Sequence, residues 1–171
     1  MRLSTSSPSA SRLLMVGSML AFVAIAGCAK KQPLPDNSAQ LGIGNSAVQP
    51  GTAQDFTVNV GDRVFFTTDS TSLTQEARLT LDKQATWLNQ YANYPVTVEG
   101  HADERGTREY NLALGARRAA ATRDYLVGRG VARSRIKTIS FGKERPVAVC
   151  NDISCWSQNR QAVTVLRGGA S

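Results

Sequence analysis

The stretch VEGHADERGTREYNLALGARRAAATRDYL, Val98–Leu126, decides how the chain is read. A β-rich run, PVTVEG from Pro95 to Gly100, enters it. A polar turn, GHADERGT, follows between glycines, and from about Thr107 to Gly128 the pattern becomes helical. A strand that hands over to a helix through such a turn is an ordinary place for ligand contacts, because rigid elements hold the loop. His101, Asp103 and Glu104 sit in the turn, and the helix carries the adjacent cations Arg117 and Arg118. At about 100° per residue, Tyr110, Leu114, Ala121 and Tyr125 fall within about 60° of one another and predict the core-facing stripe. Arg117 and Arg118 then stand about 50° to either side of its centre, each able to lay its stem on apolar surface. Periodicity does not choose between them. An arginine that shares a cleft with Asp103 has two uses. It can form a structural ion pair, worth about 0–1 kcal/mol near the surface. It can instead work with the aspartate on a zwitterion, the guanidinium gripping a carboxylate and the aspartate an ammonium.

Upstream of this stretch, FTVNV alternates Phe56, Val58 and Val60 with polar residues, Gly61 and Asp62 offer a turn, and RVFFT, Arg63–Thr67, reads as a second strand. Ser72 and Gln75 form a capping box. It opens a helix over about 73–92 whose apolar face is Leu73, Ala77, Leu81, Leu88 and Tyr91, closed by Asn93 and Pro95. Downstream, RIKTISF supplies another strand and QAVTVLR, Gln161–Arg167, a closing one. The βαβαβ alternation predicts an α+β sandwich, two main helices packed on one small mixed sheet. That domain occupies residues 54–167, followed by a frayed tail over 168–171.

The chain's beginning sets its compartment. Arg2 and Arg12 precede the apolar run LLMVGSMLAFVAIAGC, which is short for a membrane span and reads as an export signal over residues 1–27. Its end, IAGC, resembles a bacterial lipobox, so Cys28 is expected to become the lipidated N-terminus. Ala29, in place of an aspartate, leans toward outer-membrane sorting. Residues 28–53 are rich in Pro, Gly, Ser, Asn and Gln without an apolar period and read as a tether. About 25 residues reach at most roughly 80 Å when fully extended. With Cys28 committed to lipid, Cys150 and Cys155 are free to bridge in an oxidising compartment, pinning the loop CNDISC. Their spacing is not C-x-x-C, and the single histidine lies far off in sequence, so neither a redox pair nor a metal site is indicated.

At 171 residues the chain fits one domain of ordinary size, and 42% hydrophobic with 19% charged residues suits a globular fold. The net charge of +7 favours polyanions without choosing one. Export argues against nucleic acid. Catalytic parts are few. With one histidine and no G-x-S-x-G, H-E-x-x-H or Walker loop, only His101, Asp103 and Glu104 remain as acid/base groups. A hydrolase acting through Asp103 or Glu104 is the alternative to a binding module; no enzyme and no cofactor is the expectation.

The run GHADERGT-x-EYN-x-x-LG-x-RRA, with SFGKERPV after it and SQNRQAVTVL at the end, resembles the OmpA-like peptidoglycan-binding domain family, in particular its lipid-anchored members of the Tol-Pal system. The likeness runs in order from Cys28 to Leu166. It implies a non-catalytic lipoprotein of the outer membrane whose domain faces the periplasm and binds meso-diaminopimelate of the peptidoglycan stem peptide. It further implies TolB and other Tol-Pal components as partners, and a role in envelope integrity and outer-membrane invagination at division. Carried over by position, Asp103 is expected at the ligand's ammonium and Arg118 at its carboxylate, which breaks the tie between the arginines. Thr107, Asn111 and Leu114 match further pocket positions, and Asp69 an acidic residue after the first strand. Two departures stand out. Thr67 and Thr68 replace residues of the family's usual YFDxDxxDI, and Gln161 replaces the second arginine of NRRAV.

Overall fold

The structure, a computed structural model, describes residues 48–168; the export signal, Cys28, most of the tether and residues 169–171 lie outside the described residues. Four strands, β1 (Arg63–Phe65), β2 (Val96–His101), β3 (Ile136–Gly142) and β4 (Gln161–Leu166), form one mixed sheet in the order β1-β4-β2-β3. β2 and β3 run parallel, with Val98 opposite Thr138, and are joined by the long helix α3 (Arg108–Gly128). The closing strand β4 enters antiparallel between β1 and β2, with Ala162 opposite Val64 and Thr164 opposite Val98. β4 therefore brings β1 into the sheet. Helix α2 (Gln75–Gln90) covers β1 and leans on α3, which lies across β2 and β3. The expected α+β architecture of two main helices on one mixed sheet is what forms. Val64, Val96, Val98 and Ala162 face the helices, whereas Phe65 and Ile139 are exposed, as in a sheet covered on one face.

Four details differ from the sequence reading. FTVNV is not a strand: a short helix α1 (Ala53–Asp55) continues as a π-helical turn over Phe56–Val60. Alternation and a helical turn both place Phe56 and Val60 on one face; Val58, 63% exposed, is left on the other. Asp55 decides the matter. Its Oδ2 accepts from Gly51 N at 2.9 Å and from Trp87 Nε1 at 2.8 Å, and its Oδ1 accepts from Asn59 Nδ2 at 2.8 Å. Phe56 then stacks on Trp87 with ring centroids 5.0 Å apart. The N-cap of α2 is Thr74, whose hydroxyl accepts from Ala77 N, so the Ser72–Gln75 capping box does not form. Between Cys150 and β4 the chain forms a helix, α4 (Ile153–Asn159), begun by an Asp152 cap. Cys150 and Cys155 are joined by a disulfide across its first turn, Cα atoms 5.7 Å apart.

The largest difference is the buried face of α3. Asn111, Leu114, Gly115, Arg118, Ala119, Thr122 and Leu126 are buried, while Tyr110 is exposed and Ala121 and Tyr125 only partly covered. The real stripe is rotated by about 90° from the predicted one, placing Arg118 within it. Asn, Arg and Thr occupy stripe positions, so a hydrophobic count points the wrong way. Small residues let this face approach the sheet. A Cβ on Gly100 would fall 1.9 Å from Gly115 O, and one on Gly115 would fall 2.4 Å from Ser140 Oγ. Gly142, at φ +50°, likewise leaves no room for a side chain, since a Cβ would sit 2.8 Å from Leu112 N.

Gly100→Ala should therefore destabilise the fold by about 3 kcal/mol through forced separation of α3 from β2. Gly128→Ala, in the same helix with nothing within 4 Å of its Cβ, should stabilise by about 0.5–1 kcal/mol. Urea unfolding of the two variants checks the contrast. Hydrogen bonds from Asn59, Trp87 and Gly51 hold the Asp55 carboxyl below its ordinary range. Its contribution is present above the unfolded pKa of about 3.9 and is lost as pH falls through the lower folded value. Asp55→Asn should lower the urea midpoint at pH 7 and narrow the difference between pH 7 and pH 3.

Candidate functional site

The C-terminal ends of β1 and β2 and the N-terminal end of β4 meet at one edge of the sheet, where α3 also begins. A cavity of about 320 Å³ opens there, lined by the loop after β1 (Thr68, Asp69), the turn after β2 (Asp103, Arg105, Gly106) and α3 (Tyr110, Asn111, Leu114, Arg118). Five of the six residues assigned to the pocket by family likeness line it. The sixth, Thr107, is the N-cap of α3, its hydroxyl accepting from Tyr110 N at 3.2 Å.

Arg118 holds the site together. Its relative exposure is 0%, and each guanidinium nitrogen donates to a different backbone carbonyl. Nε reaches Ser70 O at 2.9 Å, Nη1 reaches His101 O at 2.8 Å and Nη2 reaches Thr67 O at 3.2 Å. Roughly two of the five N–H donors of a guanidinium remain for other acceptors. Burial pulls its pKa down to about 10, partly opposed by the charge of Asp103, so it stays a cation at neutral pH. Arg117, by contrast, is exposed. The two arginines are not symmetric flanks of the helix.

Asp103 faces the cavity from the turn, and its oxygens are in use. Oδ1 accepts from Arg105 N at 3.2 Å and Arg105 Nε at 3.1 Å; Oδ2 accepts from Arg105 Nη2 at 2.7 Å and Arg160 Nη1 at 3.2 Å. Burial by itself would raise its pKa, but the hydrogen bonds from Arg105 and Arg160 outweigh it and hold the carboxyl below its usual range. Arg160 and Arg105 are the residues sequence reasoning missed. Arg160 is buried just before β4 and also donates Nε to Phe66 O at 3.1 Å, tying β1 to the site. Arg105 lies with its guanidinium 4.4 Å from the centre of the Trp156 ring on α4. An HADER run signals an Asp and an Arg two positions apart; nothing local signals Arg160.

The remaining groups close the frame. Asn111 Nδ2 donates to Arg105 O at 2.7 Å, and Leu114 is buried at the cavity wall. Asp69, at φ +54°, accepts from the Tyr110 hydroxyl. Of the two departures from the family pattern, the first divides: Thr67 acts through its carbonyl, which any residue supplies, whereas Thr68 lines the cavity. Gln161 is buried in β4 opposite Phe65 and does not line the cavity. His101 does not converge on Asp103 as an acid/base partner. Its ring packs 5.5 Å from Phe141, Nδ1 has no hydrogen-bond partner among the described residues, and burial followed by the charge of Arg145 lowers its pKa. Glu104 accepts from the Trp156 indole N–H.

Comparison with known proteins places the fold in a family. The OmpA family pattern matches residues 65–160. The chain is 65% identical over 170 residues to the peptidoglycan-associated lipoprotein of Rhizobium meliloti, covering 96% of this chain and 97% of that one. It is 68% identical over 154 residues to that of Mesorhizobium japonicum, covering 90% and 91%. Among solved structures, the peptidoglycan-associated lipoprotein from Burkholderia pseudomallei superposes with a TM-score of 0.61 at 40% identity, over 62% of this chain and 90% of the other. The C-terminal domain of Helicobacter pylori MotB shares the fold alone, with a TM-score of 0.60 at 20% identity over 64% of this chain and 86% of the other. With that pattern spanning β2, α3, β3 and the residues that line the cavity, and relatives matched over nearly their whole length, this chain belongs to the OmpA family, in its branch of peptidoglycan-associated lipoproteins.

Proposed function

We propose that the cavity binds peptidoglycan non-covalently, through the zwitterionic end of meso-diaminopimelate in the stem peptide. The observation that carries this reading is that an aspartate and an arginine, both withdrawn from solvent, face one cavity of amino-acid size. Arg118 would take the carboxylate with its remaining N–H donors, Asp103 the ammonium, and Leu114 and Tyr110 the methylene chain between them. The family relationship supports the same assignment. The reading extends to the whole chain: residues 1–27 direct export, Cys28 carries lipid in the outer membrane, residues 28–53 form the tether, and the domain over 54–167 holds the wall from the periplasmic side. On this reading the protein works within the Tol-Pal system with TolB, supporting envelope integrity and outer-membrane invagination during division. Binding rather than turnover suits the site, because Asp103 and Glu104 are engaged by Arg105, Arg160 and Trp156.

Sedimentation with purified sacculi tests the reading. The wild-type chain should pellet with them and release no soluble muropeptides, while Asp103→Asn should stay in the supernatant. Retained binding by that variant would sink the assignment. Arg118→Ala should lose binding and also about 3 kcal/mol of stability, since it takes the shared donor from the carbonyls of Thr67, Ser70 and His101, the last of them buried. Arg117→Ala should pellet like wild type and unfold at the same urea concentration.

A further inference from the structure

A carboxylate offers about four acceptor positions, two on each oxygen. In this structure all four on Asp103 are filled, three by Arg105 and one by Arg160. If Asp103 is to receive an ammonium, as the proposed function requires, a donor has to leave. The three candidates differ. The Arg105 backbone N–H belongs to the turn itself. The Arg160 side chain is 9% exposed, is held by Phe66 O as well, and would become a buried unpaired charge if it let go. The Arg105 side chain is 42% exposed and rests on an aromatic face that can keep it once Asp103 is released. That face is fixed. Trp156 donates its indole N–H to Glu104 and stands on α4, whose first turn is closed by the Cys150–Cys155 disulfide.

We infer that Arg105 is a specificity-determining residue, an internal counter-ion whose guanidinium fills the Asp103 acceptor sites until a primary ammonium arriving with a carboxylate displaces it onto Trp156. An ammonium is a compact charge with three donors and can replace a bidentate guanidinium. A ligand that brings only a carboxylate, such as a D-alanyl peptide terminus, meets Arg118 but gives Asp103 nothing, so the Arg105–Asp103 pair stays closed. Discrimination for the zwitterion thus comes from a contact that must be broken as well as from those that form. The free protein is mostly in the closed arrangement, and its apparent affinity is reduced by the fraction that is open.

The inference rests on the reading that Asp103 takes the ligand's ammonium, and calorimetry on the full chain in detergent separates the two. The probes are a stem tripeptide, acetylated at its N-terminus and ending in meso-diaminopimelate, and the same peptide with the diaminopimelate amine acetylated as well. Arg105→Ala and Arg105→Gln should each bind the free-amine peptide roughly three- to tenfold more tightly than wild type, and acetylation should weaken binding to all three. Equal or weaker binding by both variants, with acetylation still costly to wild type, would overturn the counter-ion role and leave the Asp103 assignment standing. Indifference of wild type to acetylation, or no binding of either peptide, would overturn the Asp103 reading and the counter-ion role with it.

Discussion

The rest of this structure depends on a buried guanidinium. Arg118 projects from the middle of α3 and donates to the carbonyls of Thr67, Ser70 and His101, so a single side chain stitches the loop after β1 and the end of β2 to the helix. Burying a cation costs several kcal/mol unless its donors are met, and here backbone carbonyls meet them. A carbonyl accepts without neutralising, so the positive charge persists where the loops converge. Asp103 and Asp69 face the same cavity, which leaves it suited to a ligand carrying both signs.

Close contact between helix and sheet makes that burial possible. Gly100 on β2 and Gly115 on α3 touch backbone to backbone, with Ser140 of β3 filling the space beside them. Moving α3 outward by the width of a methyl group would draw Arg118 away from His101 O. The second arginine of the site, Arg160, performs a similar task from the position just before β4, linking Phe66 O on one side to Asp103 on the other. Since β4 is the strand that brings β1 into the sheet, the residue just before it ties the sheet's topology to the Asp103 carboxylate.

Much of this was legible in the sequence. Helix α3, its Thr107 start, the strands around it and the α+β class follow from periodicity and turn chemistry, and the family likeness placed Asp103, Arg118, Asn111, Leu114 and Asp69 together. What misled was composition. A hydrophobic stripe on α3 had to be drawn through Tyr110 and Tyr125 because the buried positions 111, 118 and 122 are polar, and amphipathicity does not reveal an arginine used as core. FTVNV reads as a strand because residues two apart share a face in β structure while residues four apart share one in a helix. Phe56 and Val60 satisfy both, and only the long-range bond from Trp87 to Asp55 decides. Arg160 was invisible for the same kind of reason: its partner Asp103 lies 57 positions away in sequence.

On the proposed function, Asp103 and Arg118 read opposite charges at one end of one ligand. A crystal structure of the protein with a stem peptide ending in meso-diaminopimelate decides it. The ligand carboxylate should lie against the Arg118 guanidinium and the ammonium against Asp103, with Arg118 still bonded to its three carbonyls. A ligand seated elsewhere, such as the groove beside the Cys150–Cys155 loop lined by Pro146, Ala148 and Val149, or one held with its charges reversed, would contradict it.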